Sequence, residues 1–200
     1  MNSRLVSVKA KTSRDGKKTA LILTVLKDGE TKKYTISEGT YRDIGCPLSD
    51  DFISSDTLEY LEEKDARSRA LSRALKILSY SDNSEATLKR KLVTAGFTRE
   101  LSEDITREMT ARGYINEASQ LDRAIISMAN RELIGRYRIT ARLLGRGYPS
   151  KAIAERIGAL IESGEIDFAQ SFERLAEKKL PENYGEEEKT KLLYRYGYRK

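Results

Sequence analysis

The sequence predicts a mainly α-helical chain: three tandem three-helix units, helix-turn-helix-like in outline and stacked in an elongated curved array, come after a small antiparallel β extension. Three observations carry this. The apolar period changes from strand-like to helix-like after Gly45-Cys46-Pro47, the sequence matches itself at a spacing of about 50 residues, and only 3 prolines and 13 glycines interrupt 200 residues. The expected divisions are a β-rich module over 1–48, a helical linker over 49–65, repeats over 66–115 and 116–166, and a truncated third repeat over 167–200.

The strands come first. Leu5-Val6-Ser7-Val8, Ala20 to Leu26 and Tyr34-Thr35-Ile36 are short β-rich runs separated by turn signals at Asp15-Gly16 and Asp28-Gly29. A meander of about three strands buries one face only and needs a helix to cover it, which makes the module a docking platform. Ser54-Ser55-Asp56 then offers an N-cap, and Leu58 and Leu61 begin a helical spacing that leads toward Leu71, Leu75 and Leu78 as one helix or two.

Sliding the chain by 51 residues places Leu88, Leu92, Gly96 and Phe97 on Ile139, Leu143, Gly147 and Tyr148. The same slide places Met109, Gly113, Ile115 and Asn116 on Leu160, Gly164, Ile166 and Asp167. A further slide of 50 brings Leu143, Gly147 and Tyr148 onto Leu193, Gly197 and Tyr198. In each unit a first helix, such as Leu121 to Met128, carries apolar residues three and four apart, and a second ends at a glycine where the left-handed conformation makes a corner. The aromatic just beyond packs back. A third helix, with Leu101, Ile105 and Met109 or with Ile153, Ile157 and Leu160, ends at Gly113 or Gly164, and Asn116 and Asp167 cap the first helix of the next unit. These leucines, glycines and aromatics are core and caps, so function belongs on the polar faces between them.

Composition excludes several chemistries. There is no histidine and one cysteine, Cys46, which removes Ser-His-Asp and Cys-His catalysis, histidine-ligated zinc and an internal disulfide. No phosphate loop, dinucleotide fingerprint or nucleophile elbow is present. Adjacent carboxylates such as Glu62-Glu63 and Glu186-Glu187-Glu188 read as solvated or capping charges. The expectation is a protein that is not an enzyme and uses no cofactor or metal. The start, Met1-Asn2-Ser3-Arg4-Leu5, has no secretory apolar region, and no run approaches the roughly 18 apolar residues of a membrane span, so the expected setting is the cytoplasm without membrane contact.

Charge is unevenly placed. Residues 1–65 hold 11 Lys and Arg against 12 Asp and Glu, whereas residues 66–200 hold 26 against 19, a net +7 that favours an anionic partner. In the middle repeat Arg138, Arg142 and Arg146 stand four apart on one ridge beside the core stripe of Ile139 and Leu143. With Arg136 and Lys151 nearby, residues 131–156 carry a net +5. Lys89, Arg90 and Lys91 repeat the theme in the first unit, and Arg195, Arg199 and Lys200 at the end. Tyr137 and Tyr194 interleave with these charges as interface anchors.

The combination resembles the RecX family of regulators of the RecA recombinase. The residues that carry the resemblance are Ala74-Leu75-Lys76-Ile77-Leu78, Leu88-Lys89-Arg90-Lys91-Leu92 with Gly96-Phe97, and Gly113-Tyr114-Ile115-Asn116. They continue in Gly135-Arg136-Tyr137-Arg138-Ile139 with Leu143 and Gly147-Tyr148, and in the ending Leu192-Leu193-Tyr194-Arg195-Tyr196-Gly197-Tyr198. Thr87 departs from the acidic residue common at its place, and Glu117 to Leu121 lacks the usual aspartate and aromatic. The resemblance implies three tandem three-helix repeats without enzymatic activity. It further implies a protein that lodges in the groove of a RecA filament on single-stranded DNA, bridges neighbouring protomers, and blocks ATP hydrolysis and strand exchange or destabilises the filament; the expected oligomeric state is a monomer. The alternative from the residues alone is a direct DNA- or RNA-binding helical-repeat protein, with single- or double-stranded DNA as the partner.

Overall fold

A computed structural model describes residues 3–12 and 19–199. The Asp15-Gly16 turn and Lys200 lie outside the described residues. Two compact units form, Met1–Lys76 with Leu92–Ile105, and Ile77–Lys91 with Thr106–Lys200.

The first unit holds an antiparallel sheet of β1 (Ser3–Thr12), β2 (Thr19–Lys27), β3 (Glu30–Ser37) and β4 (Phe52–Ile53), in the order β3-β2-β1-β4. Asp28 and Gly29 join β2 to β3 with φ of 51° and 86°, the pair of positive values that matches the twist of a two-residue hairpin. The fourth strand, two residues long, pairs with Ser3 and Arg4 and is too short for any periodicity to announce it. A bulge between Leu5 and Ser7 leaves Val6 as the extra residue and keeps Leu5 and Val8 on the inner face. A short helix α1 (Glu38–Asp43) comes after β3, capped by the Ser37 hydroxyl, which accepts from the Thr40 N–H at 3.1 Å.

α2 (Ser55–Tyr80) is one helix of 26 residues. Its Leu58 and Leu61 close the inner face of the sheet with Leu5, Leu23, Val25, Tyr34 and Ile36. The Asp65 carboxylate accepts from the Thr35 N–H at 2.8 Å, satisfying one donor on the open edge of β3. Further along, the buried stripe of α2 is Ala70, Ala74 and Ile77, whereas Leu75 is 37% exposed. The expected stripe of Leu71, Leu75 and Leu78 is therefore shifted by one residue. The two stripes are neighbours on the helix, and weighting leucine over alanine selects the wrong one.

The remaining helices are α3 (Glu85–Thr94), α4 (Arg99–Ala111), α5 (Glu117–Ile126), α6 (Arg136–Gly145), α7 (Ser150–Glu162), α8 (Phe168–Lys179) and α9 (Glu186–Tyr196). A π-helical turn, Ser127–Arg131, extends α5. The Asn116 side chain accepts from the Ser119 N–H at 3.1 Å, and Asp167 accepts from Ala169 and Gln170 at 2.8 and 3.1 Å, so both act as the expected caps. One core joins α5, the π turn, α6 and α7 through Leu121, Ile125, Met128, Ile139, Leu143 and Ile157 among others. A second joins Leu133 to Leu175, Ala176 and Leu192 on α8 and α9. Here Leu192 is buried, although the repeat alignment singles out Leu193.

α3, α6 and α9 end in the same hydrogen-bond pattern. The aromatic N–H returns to a leucine carbonyl (Phe97 to Leu92 at 3.3 Å, Tyr148 to Leu143 at 3.2 Å, Tyr198 to Leu193 at 2.8 Å), and the glycine N–H bonds one residue further on. This is the Schellman corner, which needs a left-handed residue at the glycine.

The corners of α6 and α9 then dock head to tail on the N-termini of earlier helices. The Arg146 carbonyl accepts from the Ser84 and Thr87 hydroxyls at 2.8 and 2.7 Å, at the start of α3. The Tyr196 and Gly197 carbonyls accept from the Gly135 and Tyr137 N–H groups at 2.8 and 3.0 Å, at the start of α6. Each joint pairs the unsatisfied acceptors of one helix end with donors at another, and aligns the dipoles favourably. A Cβ on Gly197 would lie 2.5 Å from the Arg138 Cβ, and one on Gly147 3.0 Å from the Ser84 Oγ.

Tyr198 packs edge-on against Phe168 and Phe172, with ring centroids 6.3 and 5.1 Å away. Its hydroxyl is buried without a hydrogen-bond partner among the described residues, and burial pushes its pKa up to about 12.

The corners can be tested by stability measurements. Gly147→Ala should cost about 2 kcal/mol in urea unfolding, combining left-handed strain with displaced Ser84, while Gly145→Ala, with no atom within 4 Å of its Cβ, should be neutral or slightly stabilising. Equal effects would contradict the joint. Tyr198→Phe should stabilise by about 1 kcal/mol at neutral pH by removing an unpaired polar group. Between the ordinary tyrosine value of 10.0 and about 12 only the unfolded chain releases this proton, so wild-type stability should fall as pH rises through that window. The phenylalanine variant should fall less.

Candidate functional site

The joint between α6 and α3 forms the wall of a cleft of about 580 Å³, lined by Ser81 to Ser84, Thr87, Arg90, Lys91, Gln120, Arg123, Ala124 and residues 145, 146 and 148. Four cations, Arg90, Lys91, Arg123 and Arg146, face one carboxylate, Asp82. Arg123 reaches Asp82 at 2.8 Å and the Ser119 hydroxyl at 2.6 Å, and Lys91 donates to the Asn83 side-chain carbonyl at 2.6 Å. The Tyr148 hydroxyl donates to Gln120 at 2.9 Å in the buried floor, and burial raises its pKa, assisted by the charges of Glu117 and Asp82. The excess of positive charge over a fixed, hydrogen-bonded floor suits an anionic group. It supplies no nucleophile with an activating base.

The backbone of α3 is held from the opposite side as well. The Glu117 carboxylate accepts from the Glu85 N–H at 2.8 Å, and Glu85 in turn accepts from the Thr110 hydroxyl at 2.9 Å. Thr87, the departure from the acidic residue of the RecX pattern, donates to the Arg146 carbonyl, a bond that an ionised carboxylate could not make.

The sequence-derived candidates separate into several places. Arg90, Lys91 and Arg146 meet in the cleft, with Lys89 beside them on α3. The ridge of three arginines is divided: Arg138 donates to the Arg195 carbonyl at 2.5 Å within the second joint, Arg142 pairs with Glu132, and Arg146 faces the cleft. Arg136 and Tyr137 start α6 at that second joint, both exposed. Lys151, 88% exposed on α7, has only a 3.9 Å approach to Glu155. Arg195 lines a smaller recess of about 300 Å³ with Lys179, Glu188 and Lys191, and Tyr194 and Arg199 are exposed. Arg123 was not singled out by sequence reasoning. It is the lone cation on α5, and only the packing of α5 brings it into the same cleft as Arg90. Among the described residues no group of acidic or sulfur side chains could hold a metal ion, and no helix is long and apolar enough to cross a membrane.

No protein-family model matches the chain. A regulatory protein RecX from Pelodictyon phaeoclathratiforme (strain DSM 5477 / BU-1) is 31% identical over 111 residues, which is 56% of this chain and 66% of the relative, just under two thirds of its length. A crystal structure of a regulatory protein RecX superposes with a TM-score of 0.68 at 17% identity, covering 96% of this chain and 91% of the other. A RecX from Lactobacillus salivarius aligns over 68% of this chain and 99% of its own at 12% identity, with a TM-score of 0.47. In sequence the chain is thus similar to a regulatory protein RecX over part of its length, and it shares the fold of another along nearly the whole chain.

Proposed function

We propose that this chain is a non-catalytic regulator that binds the RecA recombinase filament on single-stranded DNA and inhibits its ATPase and strand-exchange activities, acting as a cytoplasmic monomer. The observation that carries the reading is the α3–α6 cleft, where four cations converge on a recess whose walls are locked by the Arg146 carbonyl. Each charge-assisted hydrogen bond to an acidic group of a partner is worth about 1.5–3 kcal/mol, so a few suffice for specific association. The three helical segments 66–115, 116–166 and 167–200 are the units across which a partner is bridged, and the cations make them unequal. Arg142 is a lesser contributor, because its pair with Glu132 is 39% and 46% exposed and such pairs are worth about 0–1 kcal/mol.

A direct DNA- or RNA-binding role is the second reading, favoured by the net +7 of residues 66–200. It predicts that the cleft cations govern affinity for naked nucleic acid, with a steep loss as salt rises. The filament reading predicts stronger retention by recombinase-coated DNA than by DNA alone.

The deciding experiment titrates the protein into a single-stranded-DNA-dependent ATPase assay of the cognate recombinase. The triple variant R90A/R123A/R146A should need at least about tenfold more protein for half-inhibition, the equivalent of one lost charge-assisted contact. Arg142→Ala should stay within about twofold. Wild-type potency in the triple variant would contradict the assignment.

A further inference from the structure

The first unit, formally acidic over residues 1–65, segregates its charges between the two faces of its sheet. Strand alternation and register place Lys9 opposite Ile22 and Thr35, Ser7 opposite Thr24 and Lys33, and Arg4 opposite Leu26 and Phe52, all on the face turned away from α2. Lys11 comes two residues after Lys9, on the same side. That face therefore carries Arg4, Lys9, Lys11 and Lys33, all exposed, and no Asp or Glu occupies an outward position of β1 to β4 among the described residues. Glu62 and Asp65 lie on the covered side, engaged with Lys32, Tyr34, Thr35 and Arg69. The three lysines make no side-chain hydrogen bond or ion pair among the described residues.

The rest of the face is chemically specific. Thr24 and Thr35 add hydroxyl donors, and Ile22 and Leu26 form an apolar strip between the cations. Phe52 is 65% exposed, with the Arg4 guanidinium 5.2 Å from its ring centroid. Alternate residues on one strand stand about 6.7 Å apart, close to the spacing of successive phosphates in an extended strand. An open pleated face of this kind can lie along a single strand, with lysines on phosphates and an aromatic under a base.

We propose that the outer face of this sheet is a binding platform for the sugar-phosphate backbone of single-stranded DNA, with Lys9, Lys11 and Lys33 as phosphate contacts and Phe52 as a stacking surface. The platform is separate from the α3–α6 cleft, and its assignment does not rest on filament binding.

The test is anisotropy titration of the full chain with a fluorescently labelled oligothymidylate over a series of salt concentrations. K9Q/K11Q/K33Q should weaken binding by about tenfold or more and make the log–log salt slope shallower by about 2, three contacts at roughly 0.7 each. The charge-preserving K9R/K11R/K33R should bind like wild type, and R90A/R123A/R146A should leave the difference between sheet variants in place. On the unaltered protein, saturating oligonucleotide should protect Lys9, Lys11 and Lys33 from acetylation, a readout that needs no variant to fold. Unchanged affinity and slope in the glutamine variant, equal acetylation with and without DNA, or binding of polyglutamate in preference to the oligonucleotide would each overturn the proposal.

Discussion

The second unit depends on one repeated interaction, the docking of a glycine corner onto the N-terminus of an earlier helix. At the α6–α3 joint, side-chain hydroxyls of Ser84 and Thr87 meet the Arg146 carbonyl. At the α9–α6 joint, backbone N–H groups of Gly135 and Tyr137 meet the carbonyls of Tyr196 and Gly197. Ser84 and Gly135 are 51 residues apart, and Arg146 and Tyr196 are 50 apart, the two spacings of the repeat, so the same contact is built twice with different donors. Helix ends leave polar groups that cost free energy when buried unpaired, and pairing them with each other lets short helices pack end to end. A side chain at Gly197 would displace the start of α6, and one at Gly147 would press on the side chains of Ser84, Ala86 and Thr87.

This constraint decides what the cations do. A stripe of arginines four apart looks uniform along a helix, yet its members meet different surroundings because α6 is docked at both ends. Arg138 is drawn into the joint with α9, Arg142 is balanced by Glu132, and Arg146 is left over the cleft beside Arg90, Lys91 and Arg123. Arg90, Lys91, Arg123 and Arg146 therefore come together between helix ends contributed by different parts of the chain.

The local architecture was legible in the sequence wherever a residue type has few conformational alternatives. Gly96, Gly147 and Gly197 with the aromatics after them marked the corners, and Asn116 and Asp167 marked helix starts, because left-handed backbone and N-caps are selective. The Asp28-Gly29 turn was legible for the same reason. Packing between segments distant in sequence set the rest, and no local pattern shows it. Ala70, Ala74 and Ile77 were chosen over a leucine stripe one residue away, β4 was too short to show a period, and Leu192 replaced Leu193 in the third core. Of the cleft, Arg90, Lys91 and Arg146 stood out as basic residues, but their convergence with Arg123 and Asp82 needs the joint.

Backbone hydrogen exchange of this protein, free and with recombinase assembled on single-stranded DNA, tests most directly whether the joint-built cleft is the regulatory surface. Protection on complex formation should concentrate in residues 81–91, 120–124 and 145–148, the three segments that line the cleft. Unchanged exchange in all three, with protection confined to other helices, would contradict that assignment.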